Sequence, residues 1–266
     1  MIEEIVNVGS SVLTTLKVLE YVSERQPVGV SDVARGLTMP KSSAQRALAA
    51  LSEAGWIRKD DESVLARWVL TPRALIVGSQ AGGEDGLTAH ARPAMEYLRS
   101  QTQETINLLV RDGDFMVIVE RVESPHMLRS AYPLGMRAAM TSCSAGKAFL
   151  TTLPHDQVVD ILSHELPPSD HARMWEELDQ TRERGFAMND NARGFAVDDG
   201  GLAPDISAVA AVIFDARGLP VAAISVTVPS QRMTADRWDS YGLYAVEAAE
   251  KVSAGLGHNR LALRRG

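Results

Sequence analysis

The 266-residue chain is longer than one small core requires, and it carries 34 acidic against 27 basic side chains, a net charge of −7. Its 45% apolar and 23% charged content fits a folded globular protein and argues against disorder over most of its length. No run approaches the ~20 apolar residues of a bilayer span, MIEEIVNVGS lacks the parts of a secretory signal, and the lone Cys143 excludes a disulfide within the chain or a multi-cysteine metal site, so a cytoplasmic protein is expected.

Val12, Leu13, Leu16, Leu19 and Val22 recur at helical spacing and predict an amphipathic helix over residues 11–24, stopped before Pro27. In VGVSDVARGL, Ser31 is the candidate N-cap of a short second helix that Gly36 ends. After the turn GLTM, Pro40 suits the first turn of a third helix, where its missing N–H loses no bond. That helix directs Ala44, Ala47, Leu48 and Leu51 inward and leaves Lys41, Ser42, Ser43, Gln45 and Arg46 at its outward, N-terminal end, with Gly55 closing it. Residues 56–59 and 67–70 read as two short strands around a polar tip. Helix, helix, turn, helix, hairpin is the order of a winged helix-turn-helix domain.

Charge is distributed unevenly along the chain. Residues 1–80 hold nine basic and nine acidic side chains, so the whole excess of acid lies beyond them. Within that balanced part, residues 35–59 set Arg35, Lys41, Arg46, Arg58 and Lys59 against Glu53 alone, a local net of +4. A charge run is more often a solvated face than a binding site. Here it coincides with the helix that would enter a major groove. Ser42, Ser43, Gln45 and Arg46 are the candidates for base edges, and Lys41, Arg58, Lys59 and Arg67 for phosphates.

The domain over residues 1–78 is followed by a helical, glycine-rich linker at 79–90, a second domain at 91–258 and a tail at 259–266. The second domain opens with a helix over 87–101 that buries Ala91, Ala94, Met95 and Leu98. INLLVR and FMVIVERV flank Asp112-Gly113 as a hairpin, and MLRSAYPL is the expected third strand. Residues 144–184 are expected to be mostly helical, with Pro154 starting one helix and Ser169 capping another that ends at Gly185. ISAVAAVIF and LPVAAISVTV form a second hairpin through DARG, and a helix over 234–256 buries Trp238, Tyr241, Ala245, Ala248 and Val252. The fold class is α+β, an antiparallel sheet with helices packed on it and room for a small pocket.

SVLTTLKVLEYV, DVARGLTMPKSSAQRALAALSEAGWI, WVLTPRALIVG, PLGMRAAMTSCSAGKAFL, RERGF and AAVIFDARGLPVAAISVTVP occur in an order that resembles the IclR family of bacterial transcriptional regulators, from about residue 9 to 256. The resemblance implies a winged-helix reader joined to a GAF-like effector domain, a homodimer or homotetramer, and a partly palindromic double-stranded DNA operator as partner. It implies no cofactor. By the same resemblance, Ser142, Ser144, Ala145 and Gly146 line a small-molecule pocket, with Ala208, Ser225 and Thr227 on two strands. Small residues let a ligand approach, and the free N–H groups of a helix start favour an anion.

An acid after an RG-aromatic motif completes the family pocket, and the chain has two copies, RGFAMND and RGFAVDD. Counting back from AAVIF selects Asp198, which is slightly preferred; the helix end at TRERGF selects Asn189 or Asp190. Thr141, Ala139 and Cys143 depart from the histidine, proline and serine or threonine of many relatives. The expected ligand is a small organic acid or a hydroxylated aromatic. Two other readings compete. Ser144 and Lys147 match S-x-x-K, the serine and lysine of penicillin-recognising hydrolases, without the companion segments. A winged helix can also bind protein instead of DNA. His164 and His171 lie across Pro167 and Pro168, which would break a shared helix, so no metal site is expected.

Overall fold

The computed structural model describes residues 2–60, 66–81, 86–129, 132–190 and 205–258, and the chain forms two compact units, Met1–Glu84 and Asp85–Gly266. The first unit runs α1 (Ile2–Arg25), α2 (Val30–Gly36), α3 (Lys41–Glu53), β1 (Ile57–Lys59), β2 (Trp68–Leu70) and α4 (Arg73–Ala81). Its core is Val18, Val22, Val28, Val33, Ala44, Ala47, Leu48, Leu51 and Ile57, so the inward stripe expected of α3 is the buried one. The stripe expected of α1 is buried in part, at Leu19 and Val22. Val12, Leu13 and Leu16 are 54%, 62% and 49% exposed, and among the described residues the helix meets the core through Val18 and Val22, with Leu19 packed against it.

Two helix starts also differ from expectation. α2 is preceded by Gly29 rather than capped by Ser31, and the Asp32 carboxylate accepts from the Gly29 N–H at 3.0 Å. Pro40 stands just before α3 in extended conformation, and Leu37 and Met39 donate back to Val33 and Ala34 to tighten the turn between α2 and α3. Gly55 takes φ +75°, a left-handed conformation that releases the chain from α3 into β1 at little cost only for glycine. β1 and β2 pair antiparallel, and Val28 exchanges two backbone hydrogen bonds with Trp68 to widen the base of the wing.

The second unit contains α5 (Leu87–Thr102), β3 (Thr105–Asp112), β4 (Phe115–Val122), β5 (Arg137–Ala139), α6 (Ser144–Leu150), α7 (His155–Glu165), α8 (Pro168–Arg184), β6 (Ala187–Asp190), β7 (Ile206–Phe214), β8 (Pro220–Pro229) and α9 (Ala235–Gly255). The strands make one antiparallel sheet in the order β5-β4-β3-β8-β7-β6. The third strand is β5, not MLRSAYPL: Met127, Leu128 and Leu134 lie outside any strand and are exposed. α8 begins with Pro168 at its first position after Pro167, so Ser169 sits inside the first turn instead of capping it. The edge strand β6 comes from the first RGF copy.

Period-two alternation splits the sheet between two cores. Ile106, Leu108, Val209, Ala211, Ile213, Ala222, Ile224, Val226 and Val228 face α5 and α9. Leu109, Met116, Ile118, Ala210 and Ala223 face α6, α7 and α8. A register shift between Leu108 and Leu109 makes β4 skip Val119 in the pairing. Met116 and Ile118 therefore face the α6 side, while Val122 beyond the bulge joins the α5 side.

Candidate DNA interface and effector cavity

Lys41, Ser42, Gln45 and Arg46 are exposed on the first turns of α3, with Ser43 half-buried behind them. Arg46 Nη2 reaches Ser43 Oγ at 3.4 Å, so the two side chains share one face of the helix. Arg58 and Lys59 are exposed on β1, where Arg58 also bonds the Lys59 carbonyl at 3.1 Å. Arg67 is different. Its Nη1 donates to the Pro27 carbonyl at 2.9 Å and lies 3.5 Å from the Asp32 carboxylate, tying the base of the wing to the start of α2. The wing tip, residues 61–65, lies outside the described residues.

In the second unit, Ser144, Ala145, Ala208, Ser225 and Thr227 converge on one cavity. The fold brings them together because Ser225 and Thr227 occupy alternate positions of β8 on the α6 side, and Ala208 pairs with Thr227 across β7. The cavity is also lined by Asn107, Leu109, Ile118, Tyr132, Met136, Ala138 and Cys143, on β3, β4, the approach to β5 and the α6 turn. These residues were not anticipated. Met136, Ala138 and Cys143 belong to a segment already singled out; the others look like ordinary strand or loop residues until the sheet order places them. The enclosed volume is about 30 Å³, room for a water and far less than a metabolite.

The remaining pocket candidates lie elsewhere. Ser142 bonds the Ala139 carbonyl, and a Cβ on Gly146 would overlap the backbone of Met140, so Gly146 serves close packing beside the small cavity, whose lining includes neither residue. Asn189 bridges two elements: its Nδ2 donates to the Ser142 carbonyl at 3.1 Å and its Oδ1 accepts from Lys147 at 3.0 Å. Asp190 ends β6, pairing with Ser207. Asp198 lies outside the described residues.

Residues 11–61 match the IclR helix-turn-helix domain, and residues 81–254 match the bacterial transcriptional regulator IclR C-terminal domain. The chain belongs to the IclR family. The transcriptional repressor IclR of Escherichia coli strain K12 is 31% identical over 255 residues, covering 92% of this chain and 89% of that protein. The IclR structure from Thermotoga maritima covers 94% of this chain and 99% of its own at 23% identity, with a TM-score of 0.71. An IclR homologue from Microbacterium hydrocarbonoxydans, complexed with 4-hydroxybenzoate, matches at 19% identity and a TM-score of 0.72, covering 92% of this chain and 98% of its own. This IclR-family chain is thus a DNA-binding transcriptional regulator with an effector domain, and its winged helix is a DNA reader rather than a protein-docking module.

Membership also disposes of the hydrolase reading, because the IclR family regulates transcription and is not enzymatic. The geometry gives Lys147 another occupation. Its Nζ, on a buried side chain, donates to Glu177 at 2.7 Å and to Asn189, locking α6 to α8 and β6. Glu165 closes the other side of the same turn, accepting from the backbone N–H of Met140 at 3.2 Å and Thr141 at 2.9 Å. Cys143 precedes α6 with its sulfur accepting from Gly146, and burial pushes the thiol up to about 11.

A second cavity of about 520 Å³ lies among α6, α8, α9 and the end of β7. Its size would suit a metabolite, but its chemistry does not single one out. Thr151, Thr152, Thr181 and Ser253 all spend their hydroxyls on carbonyls of their own helices, and Arg182 pairs with Asp179. Among the described residues no group of three His, Cys, Asp or Glu side chains is placed to hold a metal, and no helix is long and apolar enough to cross a membrane.

Proposed function

We propose that this regulator senses a small organic acid or aromatic compound in the cavity beside α6 and alters operator binding through α3. Ser42, Ser43, Gln45 and Arg46 would read bases, with Lys41, Arg58 and Lys59 on phosphates. Arg67 serves the wing's geometry. The observation that carries the sensing half is the convergence of Ser144, Ala145, Ala208, Ser225 and Thr227 on one buried cavity from three separated segments. The Microbacterium relative's 4-hydroxybenzoate supports the same ligand class.

The cavity is too small for such a ligand as it stands, so binding requires an expanded arrangement of its walls. A ligand that fits only that arrangement shifts the population toward it, and this difference in affinity is the free energy available to act on DNA. A homodimer or homotetramer on a partly palindromic operator is the assembly in which the shift would change the spacing of two α3 helices. A thermal-shift screen of small carboxylates and hydroxylated aromatics tests the sensing half. A stabilising compound is expected to lose its effect in the Ser225→Ala/Thr227→Val double variant; an unchanged shift places the site elsewhere.

A further inference from the structure

β3 buries an asparagine on the face of the sheet that bears α6. Asn107 is 2% exposed, pairs with Ser225 of β8 in the sheet register and lines the small cavity. Its Nδ2 donates to Thr227 Oγ1 at 2.9 Å, and its Oδ1 has no hydrogen-bond partner. A buried amide oxygen without a donor is a standing cost that a folded protein rarely keeps without a use. Because the Thr227 hydroxyl can both donate and accept, exchanging the amide's oxygen and nitrogen would only transfer the deficit to the nitrogen. Either way one polar atom of Asn107 is left to be met from the cavity.

The surroundings narrow what can meet it. Leu109, Ile118, Met136 and Ala138 offer apolar surface, Ser144 and Ser225 offer hydroxyls, and among the described residues no charged side chain lines the cavity. A neutral group that both donates and accepts suits this corner: a water fits the cavity as it stands, and a ligand hydroxyl is the group that takes over the water's bonds when an effector enters. We infer that Asn107, with Thr227, is the anchor for a hydroxyl carried by the effector, so that the ligand of the proposed class is a hydroxylated one and its deoxy counterpart is excluded. The inference rests on the cavity being the effector site. A site built to bond a hydroxyl rejects the analogue lacking it more strongly than an apolar wall rejects an added one, because the rejection leaves buried groups unpaired.

The test uses three pairs that differ by one hydroxyl: glycolate and acetate, lactate and propionate, 4-hydroxybenzoate and benzoate. Calorimetric titration of the full chain is expected to give at least one hydroxylated member a Kd ten or more times lower than its partner's. In Asn107→Leu, which keeps the number and branching of the side-chain heavy atoms but removes both polar ones, that ratio falls to near one through weaker binding of the hydroxylated member. Equal affinities within every pair, or a preference that survives in Asn107→Leu, overturns the role of Asn107. So does failure of all three hydroxylated compounds to bind wild-type protein, and the wild-type comparison decides the matter even where the variant does not fold. Ala208→Phe, which fills the cavity, separates the two levels. Binding that persists unchanged in it removes the cavity reading and Asn107 together, whereas binding lost in it without discrimination in wild type removes Asn107 alone.

Discussion

Arg46 and Arg67 carry the same charge in the same unit and have different surroundings. Arg46 is exposed at the start of α3, whereas Arg67 is held by the Pro27 carbonyl and Asp32. Arg46→Ala should therefore weaken operator binding by about 1–3 kcal/mol in an anisotropy titration and leave effector affinity unchanged. Lys59→Ala should lower the slope of log K against log salt by about one unit, the mark of a lost phosphate contact. Arg67→Ala should lower the melting temperature of the N-terminal unit and leave that slope alone; a reduced slope would return Arg67 to the phosphate set.

Cys143 gives a residue-scale prediction with a pH sign. Its thiol rises from an ordinary value of 9.0 to about 11 on burial, so the folded state holds its proton where the unfolded state releases it. This contribution is complete below pH 9 and is lost as pH climbs toward 11, because the unfolded chain then binds fewer protons. The two-unit difference corresponds to roughly 3 kcal/mol. Urea titrations at pH 8, 9.5 and 11 should show wild type losing ground to Cys143→Ala across that interval. Iodoacetamide should leave the native thiol unmodified at pH 8 and react with it in denaturant.

At the scale of elements, the turn before α6 is held from three sides: by Glu165 on the Met140 and Thr141 N–H groups, by Asn189 on the Ser142 carbonyl, and by backbone packing at Gly146. Gly146→Ala drives a methyl into the Met140 backbone, which cannot swing aside as a side chain would. A loss of roughly 1–3 kcal/mol is expected in chemical denaturation, together with loss of effector binding. Much of this level was legible beforehand. The α3 stripe, the α5 stripe and the two hairpins of the large sheet followed from period and turn chemistry, because each helix sets one apolar face against a core and leaves a polar one outside, and each strand pair flanks a turn signal.

Other elements were misread for physical reasons. α1 shows a periodic apolar face, but periodicity reports amphipathicity and not how far the partner extends, so Val12, Leu13 and Leu16 stay exposed. Ser31 and Ser169 are good caps by residue type, yet a glycine and a proline precede those helices instead. β5 is too short to show alternation. The hydroxyls of β8 were legible as cavity residues, whereas Asn107 and Ile118 were not, since a polar residue on β3 and a bulge in β4 acquire meaning only once β3 lies beside β8.

For the whole molecule, reading and sensing reside in two units with separate cores. A ligand of the second unit raises that unit's melting temperature with free concentration as RT ln(1 + [L]/Kd). If it also changes operator affinity by some factor, saturating operator DNA must change the ligand's Kd by the same factor, since coupling between two binding equilibria is reciprocal. Calorimetry of the effector with and without operator checks this. Unequal factors would mean that the compound altering DNA binding acts somewhere other than the site being titrated.

The sheet divides its labour between its two sides: α5 and α9 cover one, and every described wall of the small cavity belongs to the other. A library that varies Asn107, Ile118, Met136 and Ala208 could therefore retune what the protein detects while the opposite flank stays as a fixed foundation. A biosensor engineer would have a chassis whose recognition chemistry can be exchanged without rebuilding the scaffold beneath it.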